Sequence, residues 1–174
     1  MLENNDSSSI HLNDVHEKYK KLTTFLVENG ITITLMESCT SGFIASLITD
    51  TEGASSVFKG SCVTYSNEAK IKEGVDENII KHFGVYSRET AVEMVRACVE
   101  KFPAEIGIGI TGSFGNVDPA NKDSVPGKVF IAVSAAKKIQ AKEFSLPVNI
   151  SRFESKLCVA DLIFEMITAQ LDFN

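Results

Sequence analysis

The order of the predicted strands and helices is the feature that most constrains the fold of this chain. Two short runs rich in β-branched residues, Ile31–Leu35 and Glu105–Thr111, are typical of buried strands. The first follows an amphipathic helix predicted over Asn13–Glu28. Two later strands, Lys128–Ser134 and Ile139–Phe144, are close enough in sequence to form a hairpin. Helices alternating with strands and then a hairpin predict an α/β protein, specifically a three-layer α/β/α sandwich with a mixed β-sheet.

The remaining elements are predicted from caps and small-residue loops. A strand is expected within Val57–Tyr65. The capping-box pattern Ser151–Glu154 opens a last helix that reaches about Leu171. Further helices are expected over Phe43–Ile48, from Ser66 or Asn67 to Lys72, over Asp76–Phe83 and from Ser87 to Phe102.

Composition places the chain among soluble globular proteins. Of its 174 residues 44% are hydrophobic and 23% charged, and the formal net charge is -6. This acidic balance argues against binding to nucleic acid, since such a protein must oppose the phosphate charge. No apolar run approaches the roughly 20 residues that span a bilayer, and the polar N-terminus does not resemble a secretory signal. We expect a flexible tail over residues 1–12 and a single domain over residues 13–174.

Cysteine and histidine patterns predict no metal site. The four cysteines form no CxxC pair, and only three histidines are present. Widely spaced cysteines of this kind are typical of a reduced, cytoplasmic protein with free thiols.

Three loops are candidates for a binding site, because ligands of α/β sheets bind beyond the carboxyl ends of strands. They are residues 36–42, 53–56 and 111–127, all rich in small or polar residues.

The first loop contains two candidate nucleophiles. Ser38 lies where a strand gives way to a helix, a turn that can expose a hydroxyl beside unpaired N–H groups. The alternative is that Ser38 or Thr40 only caps the helix. Cys39 is a rival nucleophile, although a small buried hydrophobic role is the commoner one for such a cysteine.

Lys70 is a candidate general base. It is predicted one turn into a short helix, after the segment Tyr65–Ala69. Burial or a neighbouring cation would lower its pKa enough for that role, and serine–lysine pairs are a known form of nucleophile and base. The alternative is a solvated surface lysine.

Two further segments carry possible ligand contacts. Gly107–Gly112 fits GxGxxG, but the glycines lie inside an apolar strand and no helix follows, which excludes a dinucleotide fingerprint. Thr111–Gly115 could let backbone N–H groups approach an anion, or could be an ordinary turn. Arg152 lies in the first turn of a helix, where its charge opposes the dipole, so it either grips a ligand anion or pairs with Glu154.

Taken together, these segments resemble the CinA C-terminal family, which includes stand-alone nicotinamide mononucleotide amidases. The resemblance covers about residues 14–171. It rests on four blocks in order, which are Glu37-Ser38-Cys39-Thr40-x-Gly42, Gly53-Ala54-Ser55-Ser56-x-Phe58, Val63–Lys70 and Thr111-Gly112-x-x-Gly115.

The resemblance implies hydrolysis of the carboxamide of nicotinamide mononucleotide without a metal or redox cofactor. The implied partner is a small pyridine nucleotide, and we expect a homo-oligomer. The implied catalytic residues are Ser38, Ser55, Tyr65 and Lys70, with either serine as the nucleophile; the implied substrate-binding residues are Thr40, Thr111, Gly112 and Arg152. In this scheme the charge of Arg152 helps to lower the pKa of Lys70.

The chain also departs from the family pattern. Ser41 replaces a glycine, Asn116 stands where the family usually has proline, and Ser124–Gly127 differs from the usual Lys-Pro-Val-Gly. Because two of these changes fall in a pocket loop, two alternatives stay open. The protein could be a non-catalytic nucleotide- or partner-binding module, or an amidase for a different carboxamide.

Overall fold

The structure is a computed structural model that describes residues 11–122, 124–171 and 173. Most of the predicted tail, residues 1–10, lies outside the described residues. Leu12, its last residue, already belongs to the first helix.

Five strands form one mixed sheet in the spatial order β2-β1-β3-β4-β5. β1 is parallel to β2 on one side and to β3 on the other, while β4 and β5 complete the sheet as antiparallel neighbours. The strands are β1 (Ile33–Glu37), β2 (Phe58–Val63), β3 (Ile106–Gly112), β4 (Lys128–Ala135) and β5 (Lys138–Ser145). The predicted mixed sheet and its hairpin are thereby confirmed.

Helices cover both faces of this sheet. α1, α2 and α6 pack with the isoleucines of β3 in the main hydrophobic core. α5 packs on the opposite face, with α4 beside it. The helices are α1 (Leu12–Asn29), α2 (Phe43–Thr49), α3 (Asn67–Lys72), α4 (Glu77–Phe83), α5 (Arg88–Lys101) and α6 (Arg152–Thr168), and a 3-10 turn covers Ala54–Ser56. In the described part of the chain, no helix has the length and apolar character to cross a membrane.

The predicted helix caps are present. The Ser87 hydroxyl accepts the backbone N–H of Thr90 at 3.1 Å. Ser151 and Glu154 form the reciprocal capping box, since the Ser151 hydroxyl accepts from Glu154 N and the Glu154 carboxylate from Ser151 N. Each cap satisfies helix N–H groups that have no partner within the helix.

β1 begins two residues later than the sequence predicts. The backbone N–H of Ile31 donates to Leu26 O at 2.9 Å and so closes the end of α1. Thr32 N donates to the Glu105 carboxylate at 3.0 Å. The β-branched pattern therefore starts in the connection, and the strand continues through Met36 and Glu37 instead.

Only two of the three predicted loops reach the same edge of the sheet. Residues 36–42 and 111–127 include the last two residues of β1 and β3 and the loops after them, and the parallel pairing of these strands brings their carboxyl ends together. Residues 53–56 precede β2, which also runs parallel to β1, with Ile33 paired to Phe58. That loop therefore lies at the amino edge of the strands, and its predicted place at the site is wrong.

Candidate active site

A cavity of about 420 Å³ opens at the carboxyl edge of β1 and β3. Its lining comes from five segments of the chain that the fold brings together. Ser38 and Cys39 follow β1, Tyr65–Glu68 follow β2, Gly112–Asn121 contribute most of the loop after β3, and Tyr86 and Arg152 stand at the starts of α5 and α6. The size suits a small nucleotide or a comparable ligand.

Glu37 builds the turn that presents Ser38. Its fully buried carboxylate accepts the backbone N–H groups of Gly42 at 3.0 Å, Ile44 at 3.2 Å and Ala45 at 3.0 Å. These donors open α2 and have no partner within the helix. The chain is thus folded back tightly after β1, which turns Ser38 toward the cavity.

Ser41 occupies the left-handed backbone region within this turn. Its φ is 58°, followed by 88° at Gly42. Residues with a side chain disfavour that backbone region, whereas glycine does not. The departure from glycine noted in the sequence is therefore accommodated with some strain.

Lys70 reaches Ser38 inside the protein. Lys70 Nζ lies 2.9 Å from Ser38 Oγ and also donates to the carbonyl oxygen of Thr64 at 2.8 Å. The lysine is only 2% exposed although α3, on which it lies, is a surface helix. Hydroxyl and amine are therefore within proton-transfer distance, shielded from bulk water.

Burial lowers the pKa of Lys70 to about 8, because the charged form is poorly solvated. Cys39 and Asp118 act in the opposite direction. Arg152 does not contribute to the lowering of the Lys70 pKa, contrary to expectation. Burial rather than a neighbouring cation therefore makes the lysine a usable base at neutral pH.

Cys39 is unsuited to act as a nucleophile. Its thiol is 4% exposed, and burial raises its pKa to about 12. The thiol therefore stays protonated, in agreement with the hydrophobic role.

Arg152 faces the cavity rather than Glu154. Its Nη2 donates to Tyr65 Oη at 2.9 Å, and the guanidinium lies 5.4 Å from the centre of the Phe114 ring. Glu154 is occupied by the capping box. The contact joins the start of α6 to the end of the β2–α3 connection across the cavity mouth, with Tyr65 61% exposed.

The far wall of the cavity is a chain of hydrogen bonds between side chains. Tyr86 Oη donates to Asp118 Oδ2 at 2.7 Å, and Asn121 Nδ2 donates to the same oxygen at 2.6 Å. Asn67 Nδ2 in turn donates to Asn121 Oδ1 at 2.9 Å. These bonds hold the loop after β3 against α3, the helix that carries Lys70.

Residues 15–169 match the CinA C-terminal domain family. The chain belongs to this family. It is 37% identical over 139 residues to the CinA-like protein of Fervidobacterium nodosum, an alignment that covers 79% of this chain and 34% of that protein. It is 40% identical over 121 residues to the CinA-like protein of Endomicrobium trichonymphae, covering 69% and 28%. The chain thus spans about a third of the length of these relatives.

Solved structures of CinA proteins share the fold. The competence/damage inducible protein CihA from Agrobacterium tumefaciens gives a TM-score of 0.81 at 28% identity, covering 90% of this chain and 95% of that one. A CinA superfamily protein from Escherichia coli gives 0.82 at 20% identity, covering 98% and 100%. These likenesses confirm the predicted α/β architecture.

Four implied site residues of the CinA pattern do not offer a side chain to the cavity. Ser55 is exposed on the 3-10 turn at the opposite edge of the sheet from Lys70. Thr40 is fully buried, and its hydroxyl has no hydrogen-bond partner among the described residues. Thr111 is buried, and its hydroxyl donates to Val85 O at 2.9 Å. Gly112 lines the cavity only with its backbone.

Gly112 is required by the neighbouring strand. A Cβ at this position would lie 2.7 Å from the carbonyl oxygen of Lys128 in β4.

Of the implied site residues, the structure brings together the side chains of Ser38, Tyr65, Lys70 and Arg152.

Sequence reasoning missed most of the far wall. Tyr86 precedes a helix cap, Asp118 and Asn121 lie in an irregular loop, and none of them stands in a recognisable motif. Their role depends on contacts between segments more than 30 residues apart, such as Tyr86 with Asp118. In the sequence, only the small and polar residues of the loop after β3 indicated that this segment could line a binding site.

Proposed function

We propose that this protein is a serine-type amidohydrolase that converts nicotinamide mononucleotide and water to nicotinate mononucleotide and ammonia. The observation that carries the proposal is the buried contact of 2.9 Å between Lys70 Nζ and Ser38 Oγ beside a cavity. Membership of the CinA C-terminal domain family supports the choice of substrate through the resemblance described above.

The first half-reaction transfers the acyl group to the enzyme. Neutral Lys70 accepts the proton of Ser38 as its oxygen forms a bond to the carboxamide carbon. When the tetrahedral intermediate collapses, the C–N bond breaks and Lys70 returns the proton to the departing nitrogen. Ammonia leaves, and the nicotinoyl ester of Ser38 remains.

The second half-reaction restores the enzyme. Lys70 takes a proton from a water molecule as the water oxygen attacks the ester carbon. The C–O bond to Ser38 then breaks, and the proton passes to the serine oxygen. The carboxylic acid so formed loses its proton to solvent and is released as the carboxylate, and Ser38 and Lys70 regain their starting forms.

Arg152 and Tyr65 suit the binding of the nucleotide phosphate. A guanidinium can hold a phosphate through two hydrogen bonds, each stronger than its present one to the Tyr65 hydroxyl. In this proposal the phosphate binds at the cavity mouth, and the ring extends inward to Ser38.

The test is ammonia release from nicotinamide mononucleotide by pure protein. Lys70→Ala should lower kcat by about 10³-fold, within the range that general acid–base catalysis contributes. Lys72→Ala is the matched control, because Lys72 lies on the same helix but is exposed. Equal activity in the two variants, with both folded, would remove Lys70 from the mechanism.

A different carboxamide is the second candidate substrate. The observation that favours it is the altered loop after β3, which forms much of the cavity wall. Ammonia release from nicotinamide, its riboside, the mononucleotide and the dinucleotide separates the two possibilities. Binding of the mononucleotide without any turnover would favour a non-catalytic module instead.

A further inference from the structure

Asp118 is a charged group in the cavity wall that the hydrolysis described above does not use. Its carboxylate accepts three hydrogen bonds, from Asn121 Nδ2 at 2.6 Å, Tyr86 Oη at 2.7 Å and the backbone N–H of Ala120 at 3.0 Å. The bonds from Asn121 and Tyr86 are the main reasons why the pKa of Asp118 lies below its ordinary value. The carboxylate therefore stays ionised at neutral pH.

The position of this carboxylate is fixed relative to the reacting groups. Asn121, which donates to Asp118, also accepts a hydrogen bond from Asn67 at 2.9 Å, at the start of the helix that carries Lys70. Asp118 and Lys70 are close enough for the charge of each to shift the pKa of the other. A negative charge thus stands in the cavity wall within electrostatic range of the Ser38–Lys70 pair.

The cavity carries charges of opposite sign at its mouth and in its far wall. Arg152 contributes a cation at the mouth, next to Tyr65. Asp118 contributes an anion held by three donors, whereas Glu68, the other carboxylate of the lining, is exposed in the first turn of α3. A ligand with an anionic end and a cationic end would match this arrangement.

We propose that Asp118 makes the site selective for carboxamides carried on a positively charged ring over neutral rings of the same shape. The proposal rests on the proposed function and concerns which substrates that same site accepts. When Lys70 is neutral and ready to accept a proton, Asp118 no longer interacts with a lysine cation. A cationic ring replaces that charge, and the attraction is stronger in a partly enclosed cavity than in water.

The experiment compares two nucleotides that differ in ring charge. Nicotinamide mononucleotide carries a cationic ring, while its 1,4-dihydro form carries a neutral ring with the same carboxamide and phosphate. Binding is measured by calorimetry at pH 8 with the Ser38→Ala protein, so that hydrolysis does not interfere. We expect the cationic form to bind about tenfold more tightly, as one added charge interaction would give. Adding Asp118→Asn should abolish that preference by weakening the cationic form alone.

Matched variants separate charge from shape. Glu68→Gln and the remote, exposed Glu165→Gln remove the same charge and should each keep the preference within about twofold, as peripheral charges do. Asp118→Ser provides a second neutral side chain in case the asparagine disturbs the loop. An equal loss for both nucleotides, an unchanged preference, or no binding of either nucleotide would overturn the proposal.

This outcome is distinguishable from failure of the proposed function. If the unmodified protein releases no ammonia yet the charge preference is present and depends on Asp118, the hydrolase assignment fails and the binding preference stands. If ammonia is released at equal efficiency from both nucleotides, the hydrolase assignment stands and the role of Asp118 fails.

Discussion

At the scale of single residues, the burial of Lys70 predicts how activity depends on pH. Only neutral Lys70 can accept the Ser38 proton, and its pKa is lowered to about 8. We expect kcat to rise about tenfold per pH unit below pH 8 and to level off above it. The neighbouring groups do not titrate in this window, since the pKa of Cys39 is raised to about 12, that of Tyr86 is raised and that of Asp118 is lowered. Steady-state rates measured from pH 6 to 9.5 test this, and a flat profile would contradict it.

The same lysine links pH to stability, which needs no substrate to measure. Its pKa is lower in the folded protein than in the unfolded chain, so the unfolded state binds more protons between about pH 8 and 10.5. The contribution of Lys70 to the free energy of unfolding therefore rises with pH over that interval. In urea unfolding, the Lys70→Met variant should not show this rise with pH. The comparison is therefore a substrate-free control for the pH profile of kcat.

At the scale of elements, the turn from β1 into α2 predicts the effect of restoring a family glycine. Ser41 has φ 58°, a region that costs a side chain roughly 1–2 kcal/mol and costs glycine little. Ser41→Gly should raise the free energy of unfolding by about 1 kcal/mol, less the entropy that glycine adds to the unfolded chain. Urea unfolding at constant pH measures the difference.

Ser46→Gly is the matched control for that turn. Ser46 is exposed within α2, where glycine is a poorer helix former than serine, so this change should destabilise the protein by about 0.5 kcal/mol. The same substitution five residues apart is therefore expected to have opposite signs. A loss of stability at both positions would show that the serine at position 41 makes a contact that outweighs its backbone strain.

The elements themselves were largely predictable from the sequence, because local signals specify them. The capping box at Ser151 and the hairpin of β4 and β5 depend on neighbouring residues, and the structure confirms both. The edge of the sheet at which a loop emerges could not be predicted in this way, because it depends on strand direction and not on neighbouring residues. Ser55 shared the small-residue character of the loop at Ser38, yet strand direction places it at the far end of the sheet.

At the scale of the whole molecule, the site depends on a sheet whose two faces are packed differently. On one face the isoleucines of β3, including Ile108 and Ile110, fill the main core beneath α1 and α6. On the other face Gly107 and Gly109 let α5 lie directly on the strand. The sequence showed these glycines inside a strand, but the helix that requires them became visible only in the fold. The far wall of the cavity could not be predicted for the same reason, since the contact of Tyr86 with Asp118 joins segments that are distant in sequence.

The close approach of α5 to β3 predicts a large cost for adding a methyl group there. A Cβ at position 109 would lie 2.2 Å from the backbone oxygen of Ala91, which cannot move without the helix. Gly109→Ala should therefore destabilise the protein by about 3 kcal/mol, as overpacking of a rigid core does. Gly115→Ala is the matched control, because a Cβ there has no atom within 4 Å and should change stability by less than about 0.5 kcal/mol. Urea unfolding of both variants tests this. Similar stabilities would mean that α5 can move away from β3 at little cost in free energy. In that case the spacing between the sheet and α5 would not fix the position of the cavity wall.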